Sequence, residues 1–128
     1  ASGNDSIAAN YGTAAYTAGY LTRSLNSGAT WTDITSGPQA QQFWGRCCIN
    51  TLNGVTAFAI TDRTNSSDYI KQVYSPGPQF LGTVTNLATS PQKRWQTIRN
   101  SDNGNYILAG EYNGLWLSSD GGASFSQL

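Results

Sequence analysis

Self-similarity constrains this chain more than any other feature. The last third runs Trp95-Gln-Thr-Ile98, Ser101-Asp-Asn-Gly104, Tyr106-Ile-Leu-Ala109, Gly114-Leu-Trp-Leu-Ser118 and Ser119-Asp-Gly-Gly-Ala-Ser-Phe125. Four short apolar or alternating runs between turn residues predict a four-stranded antiparallel meander. The middle third follows the same plan about 50 positions earlier: Trp44 stands for Trp95, Cys47 for Ile98, Gly54 for Gly104, and Ala57-Phe58-Ala59 for Ile107-Leu108-Ala109. Residues 69–75 take the third strand, and Phe80 takes the place of Phe125. The first third holds only the later strands, with residues 3–9 matching 104–110, residues 19–24 matching 114–118, and 25–31 closing the hairpin. Repeated units of this length cannot bury their apolar faces singly and stack on their neighbours instead. The chain divides into three units, about 1–36 (lacking its first strand), about 42–86 and about 92–128.

Two turns carry the same chemistry. Ser24-Leu25-Asn26-Ser27-Gly28-Ala29-Thr30-Trp31 and Ser118-Ser119-Asp120-Gly121-Gly122-Ala123-Ser124-Phe125 each set a short amide or carboxylate two residues after a serine, then a glycine, then an aromatic ring. Asn or Asp in such a turn accepts hydrogen bonds from its own backbone N–H groups. Gly28 and Gly122 can adopt the positive φ that the turn requires, and Trp31 or Phe125 folds its ring over the hairpin. Each turn is a self-contained clamp. These segments resemble the Asp-box (BNR-type) repeat, Ser-x-Asp-x-Gly-x-Thr-Trp, of sialidases, sortilin-type receptors and photosystem assembly factors. Asn26 replaces the acidic residue in the first copy, and the middle copy lacks one. With the Trp-x-x-Ile and Gly-x-x-x-x-Ala elements, the resemblance covers almost the whole chain.

The resemblance implies an all-β fold of β-propeller blades: about three four-stranded antiparallel meanders, the first without its first strand. It also implies a structural role away from any catalytic centre for Ser24, Asn26, Gly28, Trp31, Ser118, Asp120, Gly122 and Phe125. Blades packed face to face cover both sides of an interior sheet. Trp44, Trp95, Ile98, Leu115 and Leu117 are therefore expected in the blade core, and Tyr106, Tyr112 and Trp116 are expected between blades rather than stacked on a sugar.

Seven basic and seven acidic residues cancel, with no run of either sign. A phosphate-tracking nucleic-acid surface is therefore not expected. No apolar stretch is long enough to insert into a bilayer. The absence of His removes the commonest metal ligand and general base, so no cofactor or metal is expected. Low charge with abundant Ser, Thr, Asn and Gly points to a secreted or extracellular-surface protein, and the absence of Met reads as a processed or excised piece of something longer. Asn65-Ser66-Ser67 and Asn4-Asp5-Ser6 match the N-glycosylation sequon, the first in the most polar stretch. Cys47 and Cys48 fall on the first strand of a blade, so their side chains point to opposite faces. Two inert thiols, a strained vicinal disulfide, and a bridge from Cys48 to another subunit are the readings open to them.

Most acidic residues sit in turns, and neither an Arg-Ile-Pro segment nor the arginine spacing of sialidases occurs. A non-catalytic extracellular propeller module with a structural or assembly role is expected, completed by other copies, as in a filament or coat, or by the rest of a longer chain. A carbohydrate-binding or receptor-like propeller with a glycan ligand is the first alternative. A fragment of an Asp-box glycoside hydrolase is the second.

Overall fold

The computed structural model describes residues 6–8, 18–49, 56–61, 67–75 and 81–128. Among them are three antiparallel sheets and no helix. The first sheet contains β1 (Ser6–Ala8), β2 (Thr22–Ser24) and β3 (Thr32–Asp33). The second contains β4 (Trp44–Ile49), β5 (Thr56–Thr61), β6 (Lys71–Tyr74) and β7 (Thr83–Asn86). The third contains β8 (Trp95–Asn100), β9 (Ile107–Glu111), β10 (Gly114–Ser118) and β11 (Ser126–Gln127). Every strand pairs with its sequence neighbour, so each sheet is a simple meander. The sheets are β-propeller blades, with β4 lying against both β1 and β8.

Trp95 and Ile98 are both buried in one core, although alternation would put residues three apart on opposite faces. A β-bulge resolves this conflict. Trp95 pairs with Glu111 and Thr97 with Gly110, leaving Gln96 without a partner of its own. The second blade repeats the device: Trp44 pairs with Thr61 and Arg46 with Ile60, and Gly45 is the extra residue. The bulge returns Trp44 and Cys47 to a shared face, and Trp95 and Ile98 to theirs.

Two apolar cores hold the blades together. One joins the first and second blades through Leu21, Ile34, Trp44, Ala57, Ala59, Val73 and Val84. The other joins the second and third through Phe58, Ile60, Ile70, Leu87, Ile98, Ile107 and Ala109. Alternate residues of β5 feed the two cores, which explains an apolar run with almost no polar interruption. In β9, Ile107 and Ala109 are buried while Leu108 between them is exposed.

One backbone bond recurs in all three blades. The N–H that follows the fourth strand donates to a carbonyl at the start of the third-strand segment, just before β2 and β6 and second in β10. Ile34 donates to Leu21 at 2.7 Å, Leu87 to Ile70 at 2.7 Å, and Leu128 to Leu115 at 2.9 Å. The linker from the first to the second blade is equally tight. Ser36 accepts from the Val84 N–H at 2.9 Å. At Gly37, with φ of 106°, an added Cβ would lie 2.2 Å from the Val84 carbonyl oxygen.

Candidate functional site

The two clamp turns are built alike. The hydroxyl of Ser118 accepts from the Gly122 N–H at 2.8 Å and donates to Asp120 Oδ1 at 2.8 Å. Asp120 then accepts from the Ser124 N–H at 2.9 Å and from its hydroxyl. These bonds hold the exposed Asp120 carboxyl down at about 2, with the Ser124 hydroxyl contributing most. In the first copy Ser24 Oγ accepts from the Gly28 N–H at 2.8 Å and donates to Asn26 Oδ1 at 3.0 Å, and Asn26 Oδ1 accepts from the Thr30 N–H at 2.9 Å. The last bond is reversed, because the Asn26 amide donates to Thr30 Oγ1 at 2.8 Å. Gly28 and Gly122 have φ of 88° and 94°. Every oxygen of Asp120 faces its own turn, which is the geometry of a hairpin clamp rather than of an acid or a metal ligand.

Two cations lie deep between strands. Arg23 donates from Nη1 to Ser75 Oγ at 3.2 Å and to the Leu81 carbonyl at 3.1 Å, stitching the first blade to the second. Lys71 donates to Asp68 Oδ1 at 2.8 Å, to Gln39 Oε1 at 3.2 Å and to Asn86 Oδ1. Asp68 Oδ2 accepts from Thr61 Oγ1 at 3.1 Å, and its Oδ1 accepts from the Tyr69 N–H. Neither cation stands out in the sequence. A solitary Lys among Tyr69, Ile70 and Val73 is the signal for one of them.

A cleft of about 400 Å³ opens between the second and third blades, lined by Gly45, Arg46, Ile60, Thr61, Trp95 and Gln96. The two bulges form its walls, since Gly45 and Gln96 are the extra residues of β4 and β8. Among the described residues that line it there is no carboxylate. Arg46 is exposed and makes no hydrogen bond or ion pair with the described residues. Trp95 is 5% exposed, and its indole N–H is buried without an acceptor. The equivalent Trp44 N–H donates to the Ala40 carbonyl at 3.3 Å. The repeat aligns the two tryptophans but does not by itself place the bulges or the cleft.

Trp44, Trp95 and Ile98 are buried in the inter-blade cores. Leu115, expected beside them, is 46% exposed, and Leu117 is only half-buried. Their face of β10 is the one turned away from the second blade, where no described residue covers it. Trp31 lies over Gly28 of its own hairpin and donates to its carbonyl at 3.2 Å, with 47% of its surface still exposed; Phe125 packs against the second core. Tyr106 and Tyr112 are exposed at opposite ends of β9, about 20 Å apart by strand rise, so they neither fill an inter-blade layer nor form one stacking platform. Cys47 and Cys48 are free thiols on opposite faces of β4. Burial pushes them up to about 11 and about 12. Asn4, Asn65, Gly54 and Phe80 lie outside the described residues. The described residues contain no cluster of side chains that could hold a metal ion.

No protein-family model matches the chain, and no curated protein matches it. Among solved structures it is similar to a GH74 enzyme of Niastella koreensis, with a TM-score of 0.59 and 19% identity. The match covers 87% of this chain and 15% of that one. At this identity the likeness speaks for the fold, that of propeller blades.

Proposed function

We propose that this chain is a non-catalytic block of Asp-box propeller blades with a structural or assembly role, completed by a further blade that docks on the third sheet. One observation carries the reading. In the first two blades the residues joined by the recurrent backbone bond, Leu21 with Ile34 and Ile70 with Leu87, are buried by the following blade. The third pair, Leu115 and Leu128, has the same bond but is 46% and 70% exposed. Leu108 adds to the same apolar face. Another blade, from the rest of a longer chain or from a second copy, is the chemically matched cover, because closing the ring removes bare sheet faces. Low charge supports an extracellular setting, where burial protects the thiols of Cys47 and Cys48 from oxidation.

Carbene footprinting of the native protein tests this. Strong protection of Leu115 and Leu128 relative to exposed Tyr112 is expected. Labelling of both leucines as heavy as that of Tyr112 would overturn the reading.

A second reading, carbohydrate binding, is favoured by the likeness to the GH74 enzyme. The inter-blade cleft suits binding better than hydrolysis, since glycoside cleavage ordinarily uses a pair of carboxylates and the described residues of its lining present none.

A further inference from the structure

We infer that a second copy of this chain covers the bare face of the third blade, and that the clamp turn of its first blade makes the contact. The inference rests on the docking reading above and fixes the source of the docked blade. Its support is an interface that the chain already makes with itself.

Where the third blade meets the second, its clamp turn lies against a buried leucine of that blade. A Cβ added at Gly122 would stand 3.3 Å from Leu87 Cδ2. Thr89, two residues after Leu87, donates from its hydroxyl to the Gly122 carbonyl. Gly122 is buried there, and Phe125 packs against the core that holds Ile70 and Leu87. The interface thus has two halves: a clamp turn with its aromatic ring, and the aliphatic pair joined by the recurrent backbone bond.

Each half occurs once more, without its complement among the described residues. On the first blade, Gly28 and Trp31 hold the places of Gly122 and Phe125. Gly28 is exposed, and among the described residues an added Cβ would meet only its own Trp31, which is 47% exposed. On the third blade, Leu115 and Leu128 hold the places of Ile70 and Leu87 and are equally bare. The second blade stands between the two halves, with β4 against β1 on one side and β8 on the other. They can therefore meet only between copies, the third blade of one against the first blade of the next. Seven basic and seven acidic residues cancel, so copies approach without net repulsion. A half-exposed Trp set against leucines is the kind of anchor on which protein interfaces depend. The contact uses different patches on the two copies, and repeating it gives a ring or a filament.

Sedimentation velocity of the native protein over a dilution series, with Trp31→Ser and Leu128→Ser, tests this. The native protein should associate reversibly. Each variant, lacking one half, should bind its own kind about tenfold more weakly or worse. An equimolar mixture separates a lost interface from a lost fold, because Leu128 of one variant can still meet Trp31 of the other. At a concentration where neither variant associates alone, the mixture should form dimers and extend no further. A native protein that stays monomeric, variants that associate as tightly as it does, or a mixture no larger than its components would overturn the proposal. Carbene footprinting separates that failure from failure of the docking reading. Protected Leu115 and Leu128 on a monomer would assign their cover to the same polypeptide, whereas labelling as heavy as that of Tyr112 would remove both.

Discussion

Asn26 and Asp120 hold the same place in two copies of one turn, and the difference between amide and carboxylate has a measurable consequence. Both accept from the backbone N–H four residues later, but only Asp120 also accepts from the hydroxyl of that residue, as a charged group. Its carboxyl lies at about 2 against an ordinary 3.8. A depressed value means that the charged form is favoured by folding. That contribution is whole above about pH 4 and is lost as pH falls towards 2. In Asp120→Asn the amide can donate to Ser124 Oγ as Asn26 donates to Thr30, so the clamp survives without its titration. The native protein should therefore melt higher than Asp120→Asn at neutral pH, with the gap closing between pH 4 and pH 2. A gap in melting temperature that stays constant across that window would contradict the assigned bonds. Hydrogen exchange at the Gly122 and Ser124 amides gives the local view of the same change.

At the scale of the strand, the buried Lys71 is the least expected feature. It sits opposite Ala59 on β5, in the register position that Trp116 takes opposite Ala109 in the third blade. A buried cation is tolerated because Asp68, Asn86 and Gln39 surround its ammonium. Lys71→Met keeps the stem but leaves Asp68 without its counter-charge, and breaking a buried pair from one side typically costs about 3–5 kcal/mol. Replacing both partners, in Lys71→Met with Asp68→Leu, should recover most of that loss. Denaturant unfolding of the two single variants and the double variant measures this, and additive losses would show that the pair is not coupled.

The strand scale also shows what the sequence could disclose. The meanders were readable because turn residues and apolar runs recur with little change between residues 44–61 and 95–111. The bulges were not identified, although their trace is present: Trp95 and Ile98 share a face that a regular strand would deny them. The cleft follows from two bulges meeting across an interface, and that proximity is a tertiary fact with no local signature. Lys71, likewise, could be placed on a strand but not matched to Gln39 and Asn86 from distant segments.

For the molecule as a whole, the deciding question is whether the face of Leu108, Leu115 and Leu128 is covered. The recurrent bond makes Ile70 and Leu115 equivalent by backbone geometry, so the buried residue calibrates the exposed one. Ile70→Ala empties a packed position between the second and third blades and should cost about 2–5 kcal/mol. Leu115→Ala has two clearly separated outcomes. On a bare surface the change should fall within about 0.5 kcal/mol. Beneath a docked blade it should approach the Ile70 value and, if that blade comes from a second copy, the loss should grow on dilution, because unfolding is then linked to dissociation. We expect the larger loss in the native assembly. A Leu115→Ala melting curve superimposable on that of the unsubstituted protein, with Ile70→Ala strongly destabilised, would mean that the third blade works with its face bare and that its exposed leucines serve no docking role.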